Sequence, residues 1–193
     1  MSTPRLILES ILSPDRLRSQ VSAAEWAEAE GFGSLQRQRE WLSWRALVHR
    51  VLGADAEVRY NAVGAPYVVG SSCRISVSHS KGCVAVLFSD RPCAVDVERL
   101  DRNFQRIKAK YLTAEEQRLG DDVPFLAAAW SAKEALYKYA GEPGLDLLED
   151  LHVLAYEPGV AITGQIKDGE PLRLSIALYD NFDDGPYQAV YLG

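Results

Sequence analysis

Two carboxylates separated by a single residue lie near the middle of the chain. Asp96 and Glu98 flank Val97 within an otherwise apolar run. Successive side chains of a β-strand point to opposite faces, so a strand here directs both carboxylates to one face. Magnesium binds oxygen ligands, commonly one or two carboxylates together with water and substrate phosphates. The pair therefore predicts a magnesium site, and an ordinary solvated strand edge is the alternative.

A second group of chemically useful side chains repeats at a spacing of four residues. Trp130, Glu134 and Lys138 follow this spacing, which places them on one face of a helix. In one interpretation Glu134 and Lys138 form a surface ion pair, which contributes about 0.2–0.5 kcal/mol. In the other, Glu134 binds the same cation as Asp96 and Glu98, and Lys138 contacts a phosphate oxygen.

The tripeptide Ser78-His79-Ser80 offers two hydroxyls and an imidazole. We expect it to end a strand and enter a turn, where side chains and free backbone N–H groups can bind an anion. A turn whose serines bond only to their own backbone is the alternative. His49 and His152 are expected to be structural, and the sequence indicates no Ser-His-Asp triad.

Apolar periodicity predicts the elements that position these residues. Helices are expected at about 34–53 and at 125–140, the second capped by Asp121-Asp122 and ended by Gly141. A helical period is also expected from residue 101 to 110. Strands are expected at 5–10, 74–78, 83–89 and 93–98, followed by an antiparallel meander at 151–156, 160–166, 172–179 and 187–192.

A short internal similarity relates the two halves of the chain. Arg74-Ile75-Ser76-Val77 resembles Arg173-Leu174-Ser175-Ile176, and each stretch precedes a turn and another expected strand. A duplicated half-domain would produce this similarity. Two unrelated hairpins would produce it as well, because strands draw on few residue types.

Composition excludes several classes of protein. The net charge of −6 disfavours nucleic-acid binding, and no apolar run approaches the roughly 20 residues that span a bilayer. The three cysteines, Cys73, Cys83 and Cys93, lie ten residues apart, which fits neither a disulfide framework nor a zinc site. We expect buried thiols in a reducing, cytoplasmic protein.

In their order along the chain, these motifs resemble the signature of the 4′-phosphopantetheinyl transferase family. The resemblance covers about residues 39–141. The segment Lys110-Tyr111-Leu112-Thr113-x-x-Glu116 also resembles the stretch that leads to the last helix of the family. The four main motifs are Asn61-x-x-Gly64-x-Pro66, Ile75-Ser76-Val77-Ser78-His79-Ser80, Val95-Asp96-Val97-Glu98 and Trp130-Ser131-x-Lys133-Glu134-Ala135-x-x-Lys138.

The resemblance implies an α+β fold, built from two pseudo-symmetric α/β halves with antiparallel sheets. The length favours the longer, monomeric class of the family, the surfactin-synthetase-activating type. The expected halves are residues 1–100, with the coenzyme A contacts and the Asp-x-Glu strand, and residues 101–193, with the Lys-Glu helix and the antiparallel strands. Together the two halves are expected to form one catalytic unit.

The implied activity is transfer of the phosphopantetheine arm of coenzyme A to a serine of an acyl or peptidyl carrier protein, which releases 3′,5′-ADP. Such holo-carrier-protein synthases serve fatty-acid, polyketide or nonribosomal-peptide biosynthesis. By resemblance, Asp96, Glu98 and Glu134 bind Mg²⁺ or Mn²⁺. Glu134 is the first choice for the base that accepts the serine proton, and Glu98 is the second.

The resemblance also implies contacts with coenzyme A. Lys138 matches the lysine that neutralises or protonates the departing phosphate, and Lys133 is expected as a further coenzyme contact. Ser78 and His79 match the pair that holds the ribose 3′-phosphate.

One departure from the family pattern concerns coenzyme binding. The family usually carries Lys or Arg between the Gly and Pro of the first motif, where this chain has Ala65. Loss of that cation predicts weaker coenzyme binding unless Arg59, Arg74 or another cation supplies the charge. The missing cation motivates one alternative function, a relative that binds coenzyme A or a carrier protein without transfer. The other alternative is a magnesium-dependent phosphohydrolase built on the same carboxylates and lysine.

A run of cations after the Asp-x-Glu strand is the expected docking surface for an acidic carrier protein. Its position beside the expected metal site would bring a carrier serine close to that site. A solvated basic face is the alternative. The cations are Arg99, Arg102, Arg106, Lys108 and Lys110.

Overall fold

The computed structural model describes residues 3–193, which form four α-helices and ten β-strands. Three short 3₁₀ turns, Phe104–Arg106, Lys108–Lys110 and Glu116–Leu119, lie between β6 and α4. The elements in chain order are β1 (Arg5–Ser10), α1 (Pro14–Leu17), α2 (Ala23–Glu30), α3 (Leu35–Leu52), β2 (Val58–Tyr60), β3 (Pro66–Val68), β4 (Arg74–Ser80), β5 (Cys83–Ser89), β6 (Ala94–Arg99), α4 (Val123–Ala140), β7 (Leu151–Glu157), β8 (Ala161–Ile166), β9 (Leu172–Tyr179) and β10 (Tyr187–Leu192).

Two antiparallel sheets with related strand orders confirm the predicted fold class. One sheet has the order β1-β5-β4 and the other β6-β10-β9-β8-β7, while β2 and β3 form a separate hairpin. In the first sheet β5 lies between β1 and β4 and pairs with both. In the second sheet β10 lies in the same way between β6 and β9. The similar stretches that begin at Arg74 and Arg173 fall in β4 and β9, which occupy equivalent places. This arrangement favours duplication over two unrelated hairpins.

Local capping explains where the long helices begin and end. The Ser34 hydroxyl accepts a hydrogen bond from the backbone of Arg37 at the start of α3. At the start of α4 the Asp122 carboxylate accepts from the Phe125 backbone N–H at 2.9 Å. Gly141 ends α4 with φ 59°, a left-handed conformation that glycine adopts without a Cβ penalty. These ends agree with the sequence prediction.

Each long helix packs its apolar side on one sheet. Trp44, Leu47 and Val48 of α3 pack with Val84 and Val86 of β5. A larger core forms where α4 covers the five-stranded sheet, and its Leu126, Leu136, Ile162, Leu174 and Val190 are almost completely buried. Burying a leucine or isoleucine contributes about 1.5–3 kcal/mol, so these contacts fix α4 relative to β6.

Serine hydroxyls join the two sheets where β4 runs beside β6. The backbone N–H groups of Val95, Val97 and Arg99 donate to the hydroxyls of three serines of β4, at 3.0, 3.2 and 3.4 Å respectively. The acceptors, in the same order, are Ser76, Ser78 and Ser80. The two strands therefore run in the same direction, with side-chain oxygens in place of a backbone ladder.

The structure corrects several local predictions. His79 and Ser80 belong to β4 instead of a turn, because the strand continues to its pairing with Cys83. Residues 101–110 form short 3₁₀ turns instead of a regular helix. Cys83 is buried as expected, whereas Cys73 and Cys93 are partly exposed; all three are free thiols.

Strand β6 falls within the first predicted half, residues 1–100, yet pairs with β10 in the sheet of the second half. The second half therefore receives the strand that carries Asp96 and Glu98. Action of the two halves as one catalytic unit stays a prediction. Within residues 3–193 no helix has the length and apolar character needed to cross a membrane.

Candidate active site

Asp96 lies at the centre of the candidate site and is only 6% exposed. Its Oδ1 accepts hydrogen bonds from the Ser78 hydroxyl at 2.8 Å and from the Lys138 ammonium at 2.9 Å. Its Oδ2 is buried and has no hydrogen-bond partner among residues 3–193. A buried carboxylate oxygen without a partner is costly, so Oδ2 is the Asp96 atom that is open to a further partner.

Glu98 lies two residues farther along β6, on the same face. The Ser80 hydroxyl donates to its Oε2 at 3.1 Å, and Arg102 forms an ion pair with its Oε1. Burial raises the pKa of Glu98, and the negative charge of Asp96 raises it further, against the opposing effect of Arg102. The strand prediction is thus correct in placing both carboxylates on one face.

The face of α4 predicted from the four-residue spacing turns toward β6. Lys138 donates to Asp96 and also, at 2.9 Å, to the backbone carbonyl of Val95. The Lys138 side chain therefore connects α4 to β6 and is not limited to a surface ion pair with Glu134. Burial raises the pKa of Glu134, and Asp96 adds to this effect.

Trp130 supports the cationic side of the site. The Arg102 guanidinium lies 4.5 Å from the centre of the Trp130 ring, within the range of a cation–π contact. This contact orients Arg102 toward Glu98. Sequence reasoning assigned Arg102 to carrier docking, and only the fold brings its charge to the candidate site.

The three carboxylates have the right chemistry for a hard cation, but side chains of the protein engage two of them, Asp96 and Glu98. No group of three or more His, Cys, Asp or Glu residues within 3–193 is arranged to hold a metal ion. Lys138 and Arg102 occupy oxygens of Asp96 and Glu98. Oδ2 of Asp96 is the carboxylate oxygen that remains available to a cation. Metal binding by Asp96, Glu98 and Glu134 stays a prediction.

A cleft begins at Lys138 and runs beside β4. One cavity of about 260 Å³ lies between Lys138, Tyr137, Val77 and the loop that contains Ala65. A more open groove of about 500 Å³ adjoins it and shares Gly64, Pro66 and Val77. The groove is lined on its other side by Arg37, Trp41, Trp44, Tyr60 and His79. Such a cleft has both the apolar walls and the few polar groups typical of ligand sites.

The Asp-x-Glu strand and the Lys-Glu helix also lie within one segment that matches a known family. Residues 92–187 match the model of the 4′-phosphopantetheinyl transferase superfamily. The matched segment, just under half of the chain, contains Asp96, Glu98, Glu134 and Lys138. The match supports the superfamily and a transferase. A search of curated proteins found no match to the chain.

The serine and histidine expected to bind a phosphate together do not act as a pair. Ser78 is buried, and its hydroxyl is used by Asp96 and by the Val97 N–H. His79 is half-exposed in the groove, with Nδ1 3.5 Å from a carboxylate oxygen of Glu40. Consecutive side chains of β4 point to opposite faces, so Ser78 and His79 lie on different sides of the strand. The Ser78 hydroxyl is already engaged and is not free for the predicted phosphate contact.

Lys133 lies in the core, away from the cleft. Its side chain is fully buried, and its ammonium binds both carboxylate oxygens of Glu116, at 2.8 and 2.9 Å, and the Leu147 carbonyl at 2.7 Å. Burial lowers the pKa of Lys133, and the pairing with Glu116 opposes that effect. The prediction of a coenzyme contact is therefore wrong for Lys133, because no part of its ammonium is available to a ligand.

Glu116 organises this buried cluster. It also accepts hydrogen bonds from the backbone N–H groups of Thr113 and Val153, at 2.8 and 2.7 Å. The Thr113 hydroxyl in turn accepts from the Glu116 N–H at 3.2 Å, so Thr113 and Glu116 form a capping box. Glu116 therefore links the Lys133 turn of α4 to β7.

Ala65 lies at a tight turn on the wall of the cleft. The Asn61 carboxamide oxygen accepts from the backbone N–H groups of Val63 and Ala65, at 3.1 and 2.9 Å, and Gly64 has φ 80°. The turn that contains the expected first motif brings no cation to the cleft. Arg59, one candidate replacement, forms an exposed ion pair with Glu57.

Arg37 in the groove is a cation that sequence reasoning missed. The spacing from Arg37 to Trp41 and Trp44 places all three on one helix face, and this signal could have revealed it.

The cations expected to dock a carrier protein are partly neutralised within the chain. Arg99 pairs with Asp101, Arg102 with Glu98, and Lys108 with Asp121. Arg106 and Lys110 are exposed.

Proposed function

We propose that the chain transfers the 4′-phosphopantetheine group of coenzyme A to a serine of an acyl or peptidyl carrier protein, in a magnesium-dependent reaction that releases 3′,5′-ADP. The observation that carries this proposal is Asp96 with one unpartnered oxygen beside Glu98, Glu134 and Lys138, all within the segment that matches the superfamily. The neighbouring cleft offers room for the coenzyme.

The proposed reaction is a displacement at phosphorus. The carrier serine oxygen forms a bond to the phosphorus that bears the pantetheine arm, and the bond from that phosphorus to 3′,5′-ADP breaks. The serine proton goes to Glu134, or to Glu98 as the second choice. A carboxylate can accept this proton only if it lies within hydrogen-bond reach of the serine, and Glu134 and Glu98 both lie beside Asp96.

Charge neutralisation is the other requirement of phosphoryl transfer. Lys138 lies between Asp96 and the cleft, where its ammonium can turn to the departing phosphate. A bound Mg²⁺ or Mn²⁺ polarises phosphate oxygens and offsets their charge. Asp96, Glu98 and Glu134 are the residues that would hold it, with Arg102 released from Glu98.

Coenzyme A is proposed to occupy the cleft beside β4. His79 and Arg37 lie together in the groove and present cationic or hydrogen-bonding groups to a phosphate. The apolar wall formed by Val77 and Tyr137 suits the uncharged parts of the coenzyme. Arg37 is proposed to supply the positive charge that Ala65 cannot.

Two related halves within a single chain support assignment to the longer, monomeric class. The strand order β1-β5-β4 of one half corresponds to β6-β10-β9 of the other. One chain therefore contains two related halves, which shorter chains would supply as separate subunits. Arg106 and Lys110 are proposed as the main contacts of an acidic carrier, because Arg102 and Lys108 already pair with carboxylates.

A second candidate function is coenzyme or carrier binding without transfer, and Ala65 is the observation that favours it. A missing phosphate contact weakens coenzyme binding, and a relative without catalysis would tolerate this loss.

The proposal is tested by the intact mass of an apo acyl carrier protein after incubation with the chain, coenzyme A and Mg²⁺. A gain of one phosphopantetheine that EDTA prevents is the expected result. Release of 3′,5′-ADP without a mass gain would instead indicate a phosphohydrolase. Coenzyme binding without either product, across fatty-acid and peptidyl carriers, would favour the non-catalytic relative.

A further inference from the structure

The junction between the two halves and the candidate site share the same serine hydroxyls. Ser78 accepts from the Val97 N–H at 3.2 Å and donates to Asp96 at 2.8 Å. Ser80 accepts from the Arg99 N–H at 3.4 Å and donates to Glu98 at 3.1 Å. Each hydroxyl thus links the backbone of β6 to a carboxylate of the same strand.

Ser76 completes the same series without reaching a carboxylate. It accepts from the Val95 N–H at 3.0 Å, as the other two serines accept from β6. The residue of β6 that precedes Val95 is Ala94, whereas Asp96 precedes Val97 and Glu98 precedes Arg99. The chain therefore contains its own comparison, because all three serines join the halves and only Ser78 and Ser80 donate to a carboxylate.

A hydroxyl used in this way has a fixed direction. A serine has one proton to donate, and an N–H held against its oxygen restricts the directions in which that proton can point. Donation to an ionised carboxylate is a charge-assisted hydrogen bond, stronger than one between neutral groups. Ser78 thereby restrains Asp96 through Oδ1 and leaves Oδ2 without a partner.

We propose that Ser78 and Ser80 are positioning residues, which hold the Asp96 and Glu98 carboxylates in the orientation that receives a divalent cation. The assignment rests on the proposed function for its role in transfer. It gives the buried Ser78 hydroxyl a task other than phosphate binding. It also couples the junction of the two halves to the site.

The proposal is tested by titrating the full chain with Mn²⁺, without coenzyme or carrier, and measuring free Mn²⁺ by electron paramagnetic resonance. Loss of a residue that orients a metal ligand typically lowers metal affinity about 10- to 100-fold. We expect that loss for Ser78→Ala and Ser80→Ala. Ser76→Ala removes the equivalent backbone bond and should leave Mn²⁺ affinity unchanged, and Ser80→Thr, which keeps a hydroxyl, should restore it. Thermal unfolding of each variant identifies any that has lost its fold.

Equal Mn²⁺ affinities for all three alanine variants would overturn the proposal, as would a wild-type chain that binds no Mn²⁺. The mass of the carrier is measured separately. If the affinity pattern is as expected but no phosphopantetheine is transferred, the proposed function fails and the positioning assignment stands.

Discussion

Asp96 shows how a single residue acquires its chemistry from its neighbours. The alternation of β6 makes it share a face with Glu98, and the fold adds Ser78 and Lys138 on one oxygen only. The other oxygen is buried without a partner among the described residues. Sequence spacing predicts the pair of carboxylates. That only one Asp96 oxygen is hydrogen-bonded depends on the positions of β4 and α4, which sequence spacing does not give.

Lys133 and Lys138 are five residues apart and have opposite roles, which a pair of variants can separate. Lys133→Met removes one partner of a buried ion pair, so the free energy of unfolding is expected to fall by about 3–5 kcal/mol. The KM for coenzyme A is expected to stay near the wild-type value. Chemical denaturation and steady-state kinetics measure the two effects.

Lys138→Met is the companion variant for the kinetic measurement, since it should lower kcat strongly. A Lys133→Met enzyme with wild-type stability and a raised KM for coenzyme A would contradict the buried role of Lys133.

At the scale of the elements, a hydrogen-bonded pair between Glu25 of α2 and His49 of α3 responds to pH. The His49 ring nitrogen lies 2.7 Å from a carboxylate oxygen of Glu25, and this hydrogen bond raises the pKa of His49. The stabilisation is therefore fully present below the unfolded pKa of about 6.5 and is lost as pH rises through the higher folded value.

His49→Gln is expected to cost about 1 kcal/mol of unfolding free energy near pH 6 and progressively less toward pH 9. Urea denaturation at several pH values measures this change. In a Glu25→Gln background the pH dependence of the His49 effect should disappear, and its persistence would contradict the assigned pair.

The packing of α4 on β8 depends on a glycine. A Cβ added at Gly164 would lie 2.6 Å from Leu136 Cδ1 and 3.0 Å from the His152 carbonyl oxygen. Gly164→Ala is therefore expected to destabilise the fold by about 1–3 kcal/mol, as overpacking of a core does. Gly33→Ala is the control, because its added methyl meets no atom within 4 Å. Equal melting temperatures for the two variants would show that α4 can shift without cost.

Element positions were largely predictable because apolar periodicity, caps and turns are local. The bounds of β1, β5, β9 and β10 agree with the sequence prediction, as does the end of α4 at Gly141. The pairing of β6 with β10 was not predictable, since alternation defines a strand's faces and not its neighbour. The burial of Lys133 was not predictable either, because its partner Glu116 lies 17 residues away on another element.

At the scale of the whole molecule, the proposed transfer requires an acidic chain to attract an acidic carrier protein through a local surface. The net charge is −6, and the exposed Arg106 and Lys110 lie just beyond the strand that carries Asp96 and Glu98. The double reversal Arg106→Glu with Lys110→Glu is expected to lower kcat/KM for the carrier about tenfold at low salt, with little change in the KM for coenzyme A.

The effect of that reversal should shrink as salt is added, because screening weakens interactions between exposed charges. Steady-state kinetics across a salt series measure it. A reversal without effect at low salt would exclude this surface as the docking site.

The proposed transfer of phosphopantetheine to a carrier serine depends on the carboxylates around Asp96. The most direct measurement compares the wild type and Glu134→Gln by the intact mass of the apo carrier, with coenzyme A and Mg²⁺ present and equal thermal stability verified. The account predicts a gain of one phosphopantetheine with the wild type and essentially none with Glu134→Gln. No gain with a wild-type chain that binds coenzyme A would contradict transfer, and an equal gain with Glu134→Gln would contradict the role assigned to that carboxylate.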